Sequence, residues 1–252
     1  MRASRLYPFL LLAVLLIAGC GQDRSNRSSE PSSPADTATS TTSSSPSSTT
    51  RSESVKVLVL GNSIAAGLGL ADPGRQSFPA RLQQKVDSLG WNVRVRNAGE
   101  SGMTSAGGLQ RIDWLLQQPV DVLVLELGGN DGLRGVDPTA TTKNLTAIID
   151  STFSRYPDAR VILAGMQIPP NLGPQYTQRF RDIYPSIASQ YDRVSLIPFV
   201  LEGVGGVDSL MQDDGIHPTI EGQRYVASNV WNVLRPVLEN MQTRDSELQP
   251  AS

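Results

Sequence analysis

The only histidine of this 252-residue chain lies in the motif Asp213-Asp214-Gly215-Ile216-His217-Pro218. Histidine is the side chain that ordinarily exchanges a proton near neutral pH, so proton-transfer chemistry here would depend on His217. Asp214 precedes it by three residues, and Gly215 between them permits a tight turn that points both side chains to one side. A carboxylate in that place can hold Nδ1–H and leave Nε2 free as a base. The alternative is a lone histidine at the start of a helix, since Pro218 is typical of a first helical turn.

A candidate nucleophile, Ser63, lies in the segment Gly61–Gly67, directly after an apolar run. A serine in a tight strand-to-helix turn exposes its hydroxyl group and points its N–H out of a helix N-terminus, which favours an anion. The alternative is a serine that only caps the helix. Phosphate-loop and dinucleotide patterns are excluded, because Gly-Lys-Ser/Thr is missing and Gly67-Leu68-Gly69 lacks the later glycine. The Gly-x-Ser-x-Gly elbow is excluded because Ala65 occupies its second glycine position.

Three further segments follow later apolar runs. Gly102, within Asn97–Thr104, could present a bare backbone N–H to a ligand, although an ordinary glycine-rich turn would look the same. Asn130, within Gly128–Gly132, carries a neutral amide donor in a composition that is also common in turns. The stretch Met166–Asn171 carries no catalytic group and suits either a pocket wall or a rigid connection.

The hydrophobic pattern predicts the elements that must position these residues. Five short apolar runs, rich in β-branched residues, predict strands that are buried on both faces. The runs are Val55–Leu60, Trp91–Val95, Val120–Leu127, Arg160–Met166 and Val194–Ile197. Stretches with helical spacing separate and follow them, including one predicted helix across Tyr176–Tyr191 and a last helix that Pro236 should kink or end.

Strands that alternate with helices predict a doubly wound parallel sheet, whose ligands lie beyond the carboxyl ends of the strands. A serine, a glycine N–H, an asparagine amide and an Asp/His pair would then meet at one edge of the sheet. A nucleophile, a base with its orienting carboxylate, and donors for an oxyanion are the parts of an acyl-transfer site.

The segments GNSIAAG, NAGESGMTS, ELGGNDGLRG and MQDDGIHP resemble, in this order, the sequence blocks of the SGNH (GDSL-type) hydrolases. ELGGNDGLRG, MQIPPNLGPQY and Tyr184-Pro185 are similar to the bacterial branch with acyl-thioesterase, lysophospholipase and arylesterase activities. The resemblance spans about residues 55–238. It implies an α/β fold, a flavodoxin-like three-layer sandwich with a five-stranded parallel sheet.

The resemblance also implies roles for individual residues. Ser63 would be the nucleophile, His217 the base and Asp214 its orienting carboxylate. The oxyanion hole would be formed by the N–H groups of Ser63 and Gly102 and the side-chain amide of Asn130. Neither a cofactor nor a metal is implied. The implied reaction is hydrolysis of carboxylic esters or thioesters through an acyl-enzyme. A carbohydrate O-acetylesterase on the same fold and a non-catalytic periplasmic binding lipoprotein are the alternatives.

One position departs from the family pattern. The family usually has aspartate between the glycine and the serine, whereas this chain has Asn62. The amide keeps the shape of the carboxylate but loses its charge and half of its acceptor capacity. The departure removes none of the implied catalytic residues and leaves open how the Ser63 turn is braced.

Residues 1–19 resemble a bacterial lipoprotein signal. Arg2 and Arg5 precede the apolar run Tyr7–Ile17, which is too short to span a membrane, and LIAG leads directly to Cys20. The resemblance implies cleavage before Cys20 and lipidation of its thiol, with an ordinary secretory signal as the alternative. Because Cys20 is the only cysteine, an intramolecular disulfide is excluded.

The remaining sequence divides by composition. Residues 20–54, rich in Ser, Thr and Pro, predict a disordered tether; residues 55–242 predict the hydrolase domain, and residues 243–252 a disordered tail. Loss of the signal makes the net charge more negative than −2, which argues against nucleic acid as a partner. The predicted partners are a small acyl ester or thioester and, through the lipid, a membrane. We expect a monomer at the cell envelope, facing the periplasm, on the outer membrane where one exists.

Overall fold

The computed structural model describes residues 54–247. The predicted signal segment, Cys20 and the tether up to residue 53 lie outside the described residues. Residues 248–252 of the predicted tail also lie outside them.

A sheet of five parallel strands forms the middle layer and confirms the predicted fold class. Its strands are β1 (Val55–Gly61), β2 (Val93–Asn97), β3 (Val122–Glu126), β4 (Arg160–Ala164) and β5 (Val194–Ile197). Their order across the sheet is β2-β1-β3-β4-β5. The chain therefore reverses its direction of travel between β1 and β3, and at such a switch point a crevice opens at the carboxyl ends of the strands.

Helices cover both faces of the sheet. The described residues form α1 (Ser63–Ala66), α2 (Pro73–Gln76), α3 (Phe78–Ser88), α4 (Ser105–Leu115), α5 (Gly129–Leu133), α6 (Pro138–Arg155), α7 (Pro174–Arg181), α8 (Ile183–Ala188) and α9 (Ile220–Glu247). α3 packs against α9, whereas α4 packs against α6 and α6 against α8. These two groups form the outer layers of the predicted sandwich, as right-handed crossovers from this strand order require.

Burial differs between the centre and the edges of the sheet. The side chains of β1, β3 and β4 are almost all buried, because a strand covers each side and helices cover each face. β2 and β5 lie at the edges, and each has one buried residue, Val93 and Ile197 respectively. The prediction that all five strands are buried on both faces is therefore wrong for these two.

The helix predicted across Tyr176–Tyr191 is also wrong, because the chain forms α7 and α8 there instead. Pro185 lies within the first turn of α8 and has no N–H to donate to the carbonyl group of Arg181. Because α7 ends at Arg181 and α8 begins at Ile183, neither helix requires that hydrogen bond. Phe180 of α7 and Tyr184 of α8 remain buried and pack edge to face, with ring centroids 6.1 Å apart.

Helix α9 does not end at Pro236, which was one of the two outcomes predicted for that residue. It continues through Pro236 to Glu247, five residues beyond the predicted domain boundary at 242. Leu234 and Leu238 on either side of the proline are fully buried, so tertiary packing outweighs the hydrogen bond that the proline cannot make. Within residues 54–247, no helix combines the length and the apolar composition that a membrane crossing needs.

Candidate active site

The Ser63 turn joins β1 to α1. Ser63 is the first residue of α1, and the helix is capped by Asn62, whose Oδ1 accepts a hydrogen bond from the N–H of Ile64 at 2.8 Å. The alternative of a capping serine is therefore wrong, because the Ser63 hydroxyl group is not used for that purpose. Ser63 is 8% exposed, so most of the residue is shielded from solvent.

The loop after β5 brings His217 to this serine. Nε2 of His217 lies 2.9 Å from Oγ of Ser63, although the two residues are 154 positions apart in the chain. Nδ1 of His217 lies 2.6 Å from Oδ2 of Asp214. With the imidazole proton on Nδ1, the Nε2 lone pair faces the serine hydroxyl group, which is the arrangement that lets histidine remove its proton.

Asp214 is held by its own turn. Its Oδ1 accepts hydrogen bonds from the backbone N–H groups of Ile216 and His217, at 2.9 and 3.0 Å. Gly215 has a φ of +65°, the left-handed conformation that this tight turn requires. Hydrogen bonds from the side chain and then the backbone of His217 lower the pKa of Asp214 to about 2. Asp214 is therefore ionised at neutral pH and can stabilise a protonated imidazole.

The start of α9 fixes this loop. Pro218 does not begin the helix but forms an antiparallel bridge with Met211. The first turn is instead stabilised by Thr219, whose hydroxyl group accepts from the N–H of Gly222 at 3.2 Å. The predicted first-turn role of Pro218 is thus wrong, because the residue is part of the His217 loop.

Gln223 ties α9 to the serine side of the site. This residue is 1% exposed, and its Nε2 donates to the carbonyl oxygen of Ile64 at 3.0 Å. Its Oε1 accepts from the N–H of Phe78 at 2.8 Å. One buried amide thereby links the helix after His217 to the helix that begins at Ser63.

The predicted donor Gly102 lies in the turn between β2 and α4, with a φ of +79°. The N–H of Glu100 donates to the carbonyl oxygen of Gly61 at 3.1 Å, which joins this turn to the Ser63 turn. Gly99 allows the close approach, because a Cβ at that position would lie 2.5 Å from the backbone nitrogen of Ala66. The glycine segment noted in the sequence therefore packs directly against the nucleophile turn.

The predicted donor Asn130 is the second residue of α5, after β3. Its Nδ2 donates to the carbonyl oxygen of Met103 at 3.0 Å, next to Gly102. A Cβ on Gly129 would lie 3.5 Å from Nδ2 of Asn62, so the start of α5 adjoins the Ser63 turn. The structure thus gathers all the sequence-predicted site residues of the domain at the carboxyl edge of the sheet.

Residues 59–225 match the sequence pattern of the GDSL-like Lipase/Acylhydrolase family, over more than half of the chain. The chain belongs to this family. Esterase TesA of Pseudomonas aeruginosa is 44% identical over 191 residues, which cover 75% of this chain and 92% of that protein. Thioesterase 1/protease 1/lysophospholipase L1 of Escherichia coli is 39% identical over 186 residues, which cover 73% of this chain and 85% of that protein.

Solved structures of family members are also similar. The crystal structure of TesA has a TM-score of 0.67 at 44% identity and covers 72% of this chain and 98% of that one. AlinE4, described as an SGNH-hydrolase family esterase, has a TM-score of 0.60 at 41% identity and covers 74% and 97%. A family 3 carbohydrate esterase of Clostridium thermocellum has a TM-score of 0.62 at 20% identity and covers 75% of this chain and 99% of that one. At this identity the likeness shows a shared fold alone.

In this acylhydrolase, Asp131 is a site residue that the sequence analysis treated only as part of a turn. It is 1% exposed and accepts hydrogen bonds from the N–H and the hydroxyl group of Ser105, at 2.8 and 2.5 Å. These bonds join α5, which carries Asn130, to the start of α4, two residues after Met103. Asp131 therefore fixes the distance between the segments that carry Asn130 and Gly102.

Glu126 was likewise missed. It ends β3 with no exposed surface, and its carboxyl group accepts from the backbone N–H of Asn62 at 3.1 Å and from Nδ2 of Asn62 at 2.8 Å. Burial raises the pKa of Glu126 to about 8, although the hydrogen bonds oppose this shift. The available signal was an acidic residue inside an otherwise apolar run.

Apolar side chains lie on both sides of the site. Met166, from the predicted wall segment, is buried, and its Cε would lie 2.9 Å from a Cβ on Gly129. Ile216, next to His217, is 46% exposed. Leu68 is equally exposed and is joined to the His217 loop by a bond from Gln212 to its carbonyl oxygen. These groups offer a surface for an apolar substrate.

Proposed function

We propose that this acylhydrolase cleaves carboxylic esters and thioesters through an acyl-enzyme on Ser63. The observation that carries the proposal is the hydrogen-bonded series from Asp214 through His217 to Ser63, with contacts of 2.6 and 2.9 Å. The names of the relatives, esterase and thioesterase/lysophospholipase, support the same ester-bond chemistry.

The proposed reaction has two steps. Nε2 of His217 takes the Ser63 proton as Oγ attacks the acyl carbon, and the electron pair of the C=O bond moves to the oxygen. The N–H groups of Ser63 and Gly102 and the amide of Asn130 donate to this oxyanion. Nδ2 of Asn130 carries two N–H groups, so one can donate to the oxyanion while the other keeps its bond to the Met103 carbonyl oxygen. Protonated His217 then gives its proton to the leaving alcohol or thiol, and later activates water to release the acid.

A serine-directed alkyl phosphonate probe tests the nucleophile directly. The wild-type protein should be labelled at Ser63 and should hydrolyse aryl esters and acyl thioesters, whereas Ser63→Ala should do neither. Ser88→Ala is the matched control, since Ser88 is an exposed serine of α3 that should leave both properties unchanged. A folded wild-type protein with neither labelling nor turnover would favour the non-catalytic binding protein instead.

A substrate series then narrows the class. Aryl esters, acyl-thioesters and lysophospholipids of graded chain length should be hydrolysed faster than acetylated sugars, because the exposed apolar groups at Leu68 and Ile216 favour an aliphatic acyl chain. A preference for acetylated sugars would instead assign the carbohydrate O-acetylesterase activity.

We also propose that the protein is a lipid-anchored monomer of the cell envelope. The support is the LIAG sequence before Cys20 and the Ser/Thr/Pro-rich segment that follows it. In this proposal the lipid is attached to Cys20 and the hydrolase domain faces the periplasm. Because Gly21, and not aspartate, follows Cys20, the usual lipoprotein sorting pattern favours the outer membrane where one exists. Radiolabelled palmitate incorporation tests the modification, and light scattering of the detergent-solubilised protein tests the oligomeric state.

A further inference from the structure

Glu126 is a fully buried acidic residue that the proposed chemistry does not use. It is paired in register with Gly61 across β1 and β3. A Cβ on Gly61 would lie 2.6 Å from Oε2 of Glu126, so the carboxyl group packs against the backbone that leads into Ser63. This contact leaves room only for glycine before the nucleophile turn.

Both oxygens of the carboxyl group are directed to residue 62. Oε2 accepts from the backbone N–H of Asn62, and Oε1 accepts from its Nδ2. The other polar side-chain atom of Asn62, Oδ1, accepts a hydrogen bond from the N–H of Ile64. The bonds from Glu126 through Asn62 thus fix the residue before Ser63 and the residue after it.

A purely space-filling role does not explain these contacts. The other side chains of β3, such as Leu123 and Leu125, are apolar and fully buried, and a further apolar residue would avoid the cost of removing a carboxyl group from water. Burial raises the pKa of Glu126, and the hydrogen bonds that lower it come from Asn62 and from the backbone of Ala65. The groups that donate hydrogen bonds to this carboxyl group therefore all belong to the turn that holds Ser63.

We propose that Glu126 is a positioning residue for the nucleophile: through Asn62 it holds Oγ of Ser63 within reach of Nε2 of His217. The inference rests on the proposed hydrolase function and adds a residue to it. It also explains how the turn is braced without the usual aspartate. An amide and a carboxyl group are complementary donor and acceptor, whereas two carboxyl groups at these positions would need a shared proton.

The test exchanges the amide and the carboxyl group between positions 62 and 126. In Glu126→Gln, one of the two Asn62 donors faces an NH₂ group, so kcat should fall about 10- to 100-fold, the usual cost of a slightly misplaced reacting group. In Asn62→Asp, kcat should fall as pH rises, because the proton shared by the two carboxyl groups is lost. KM should change little in either variant. The double variant Asn62→Asp/Glu126→Gln restores one amide and one carboxyl group. The backbone N–H groups of residues 62 and 64 remain donors, and only the side-chain bond between positions 62 and 126 reverses its direction.

The effects of the two substitutions on kcat should therefore be non-additive. The double variant should recover most of the lost kcat and should lack the decline with pH, and the rate of phosphonate labelling at Ser63 should follow kcat. The titratable groups around the pair are Tyr184, whose pKa is raised mainly by burial and then by the charges of Asp131 and Glu126, and His217 beyond Ser63. All variants retain Tyr184, Asp131 and His217, so the same ionisable groups surround the exchanged pair in every comparison.

Thr152→Val is the matched control, since Thr152 is a fully buried polar residue within α6 whose hydroxyl group donates to the Ile148 carbonyl oxygen of the same helix. It should keep the wild-type kcat and pH profile even if it is destabilised, and circular dichroism would confirm that each variant is folded. Folded single variants with wild-type kcat and pH profile, or a double variant no better than the product of the single losses, would overturn the inference. An inactive wild-type protein would overturn the proposed function and this inference with it.

Discussion

The free energy of unfolding should fall between about pH 4.5 and about pH 8 because of Glu126. In the folded protein, burial raises the pKa of this carboxyl group from 4.5 to about 8. Between these values the folded state keeps a proton that the unfolded state has lost, so the unfolded state binds fewer protons. Stability from this group is therefore complete below about pH 4.5 and declines as pH rises towards 8.

The size of the effect follows from the shift. One pKa unit corresponds to about 1.4 kcal/mol, so the full shift of Glu126 corresponds to at most about 5 kcal/mol across the window. That is a large part of the ~5–15 kcal/mol by which domains are ordinarily stable. The lowered pKa of Asp214 acts in the opposite sense, but its effect is confined to pH values below about 4 and does not overlap.

Urea unfolding at half-unit pH intervals from 4.5 to 8 measures the fall in the free energy of unfolding, with the Glu126→Gln variant as the reference. The difference in unfolding free energy between wild type and variant should change by about 1.4 kcal/mol per pH unit, to the disadvantage of the wild type as pH rises. A difference that stayed constant over this range would show that Glu126 is ionised throughout, and would refute the argument that burial outweighs its hydrogen bonds.

Four further predictions concern the site and the anchor. His217→Ala should abolish the rise of kcat/KM with pH together with nearly all activity, and an unchanged pH–rate profile would remove the histidine from the mechanism. Asp214→Asn should lower kcat on the order of 10,000-fold in steady-state assays, because the imidazole loses its orienting charge; a loss below tenfold would contradict that role. Asn130→Ala should lower kcat about 100- to 1000-fold while circular dichroism shows an intact fold, and unchanged turnover would exclude its amide from the oxyanion hole. Cys20→Ser should move the active enzyme out of the membrane fraction or stall its processing, and unchanged fractionation of a processed protein would refute lipid anchoring there.

The sequence was sufficient to predict the sheet and the positions of the site residues, because both follow from local patterns. Alternating apolar runs define a parallel sheet, and its geometry brings the segments after the strands to one edge. Ser63, Gly102, Asn130 and the Asp214–His217 pair could therefore be placed together before any coordinates were known.

Other features could not be predicted because they depend on partners that are distant in the sequence. The burial of a strand depends on its place in the sheet, which its local sequence does not reveal. The sequence of β2 was therefore interpreted as that of a central strand. Pro236 stays within a helix because of the core around Leu234 and Leu238, which its local sequence does not define. Glu126 and Asp131 were missed because a buried acid is informative only when its donors, Asn62 and Ser105, are known.

The link that Gln223 makes between α9 and α1 has a consequence for the order of events during synthesis. Ser63 is made 154 residues before His217, which at ordinary translation rates is an interval of roughly 10 to 30 s. Throughout that interval the chain holds a nucleophile without its base, and Gln223, six residues after the histidine, forms its bonds later still. Hydrolytic activity therefore cannot begin before the segment that carries His217 and Gln223 has been made. In an exported chain, the acyl esters of the membrane it crosses meet no assembled enzyme until the final helix has docked.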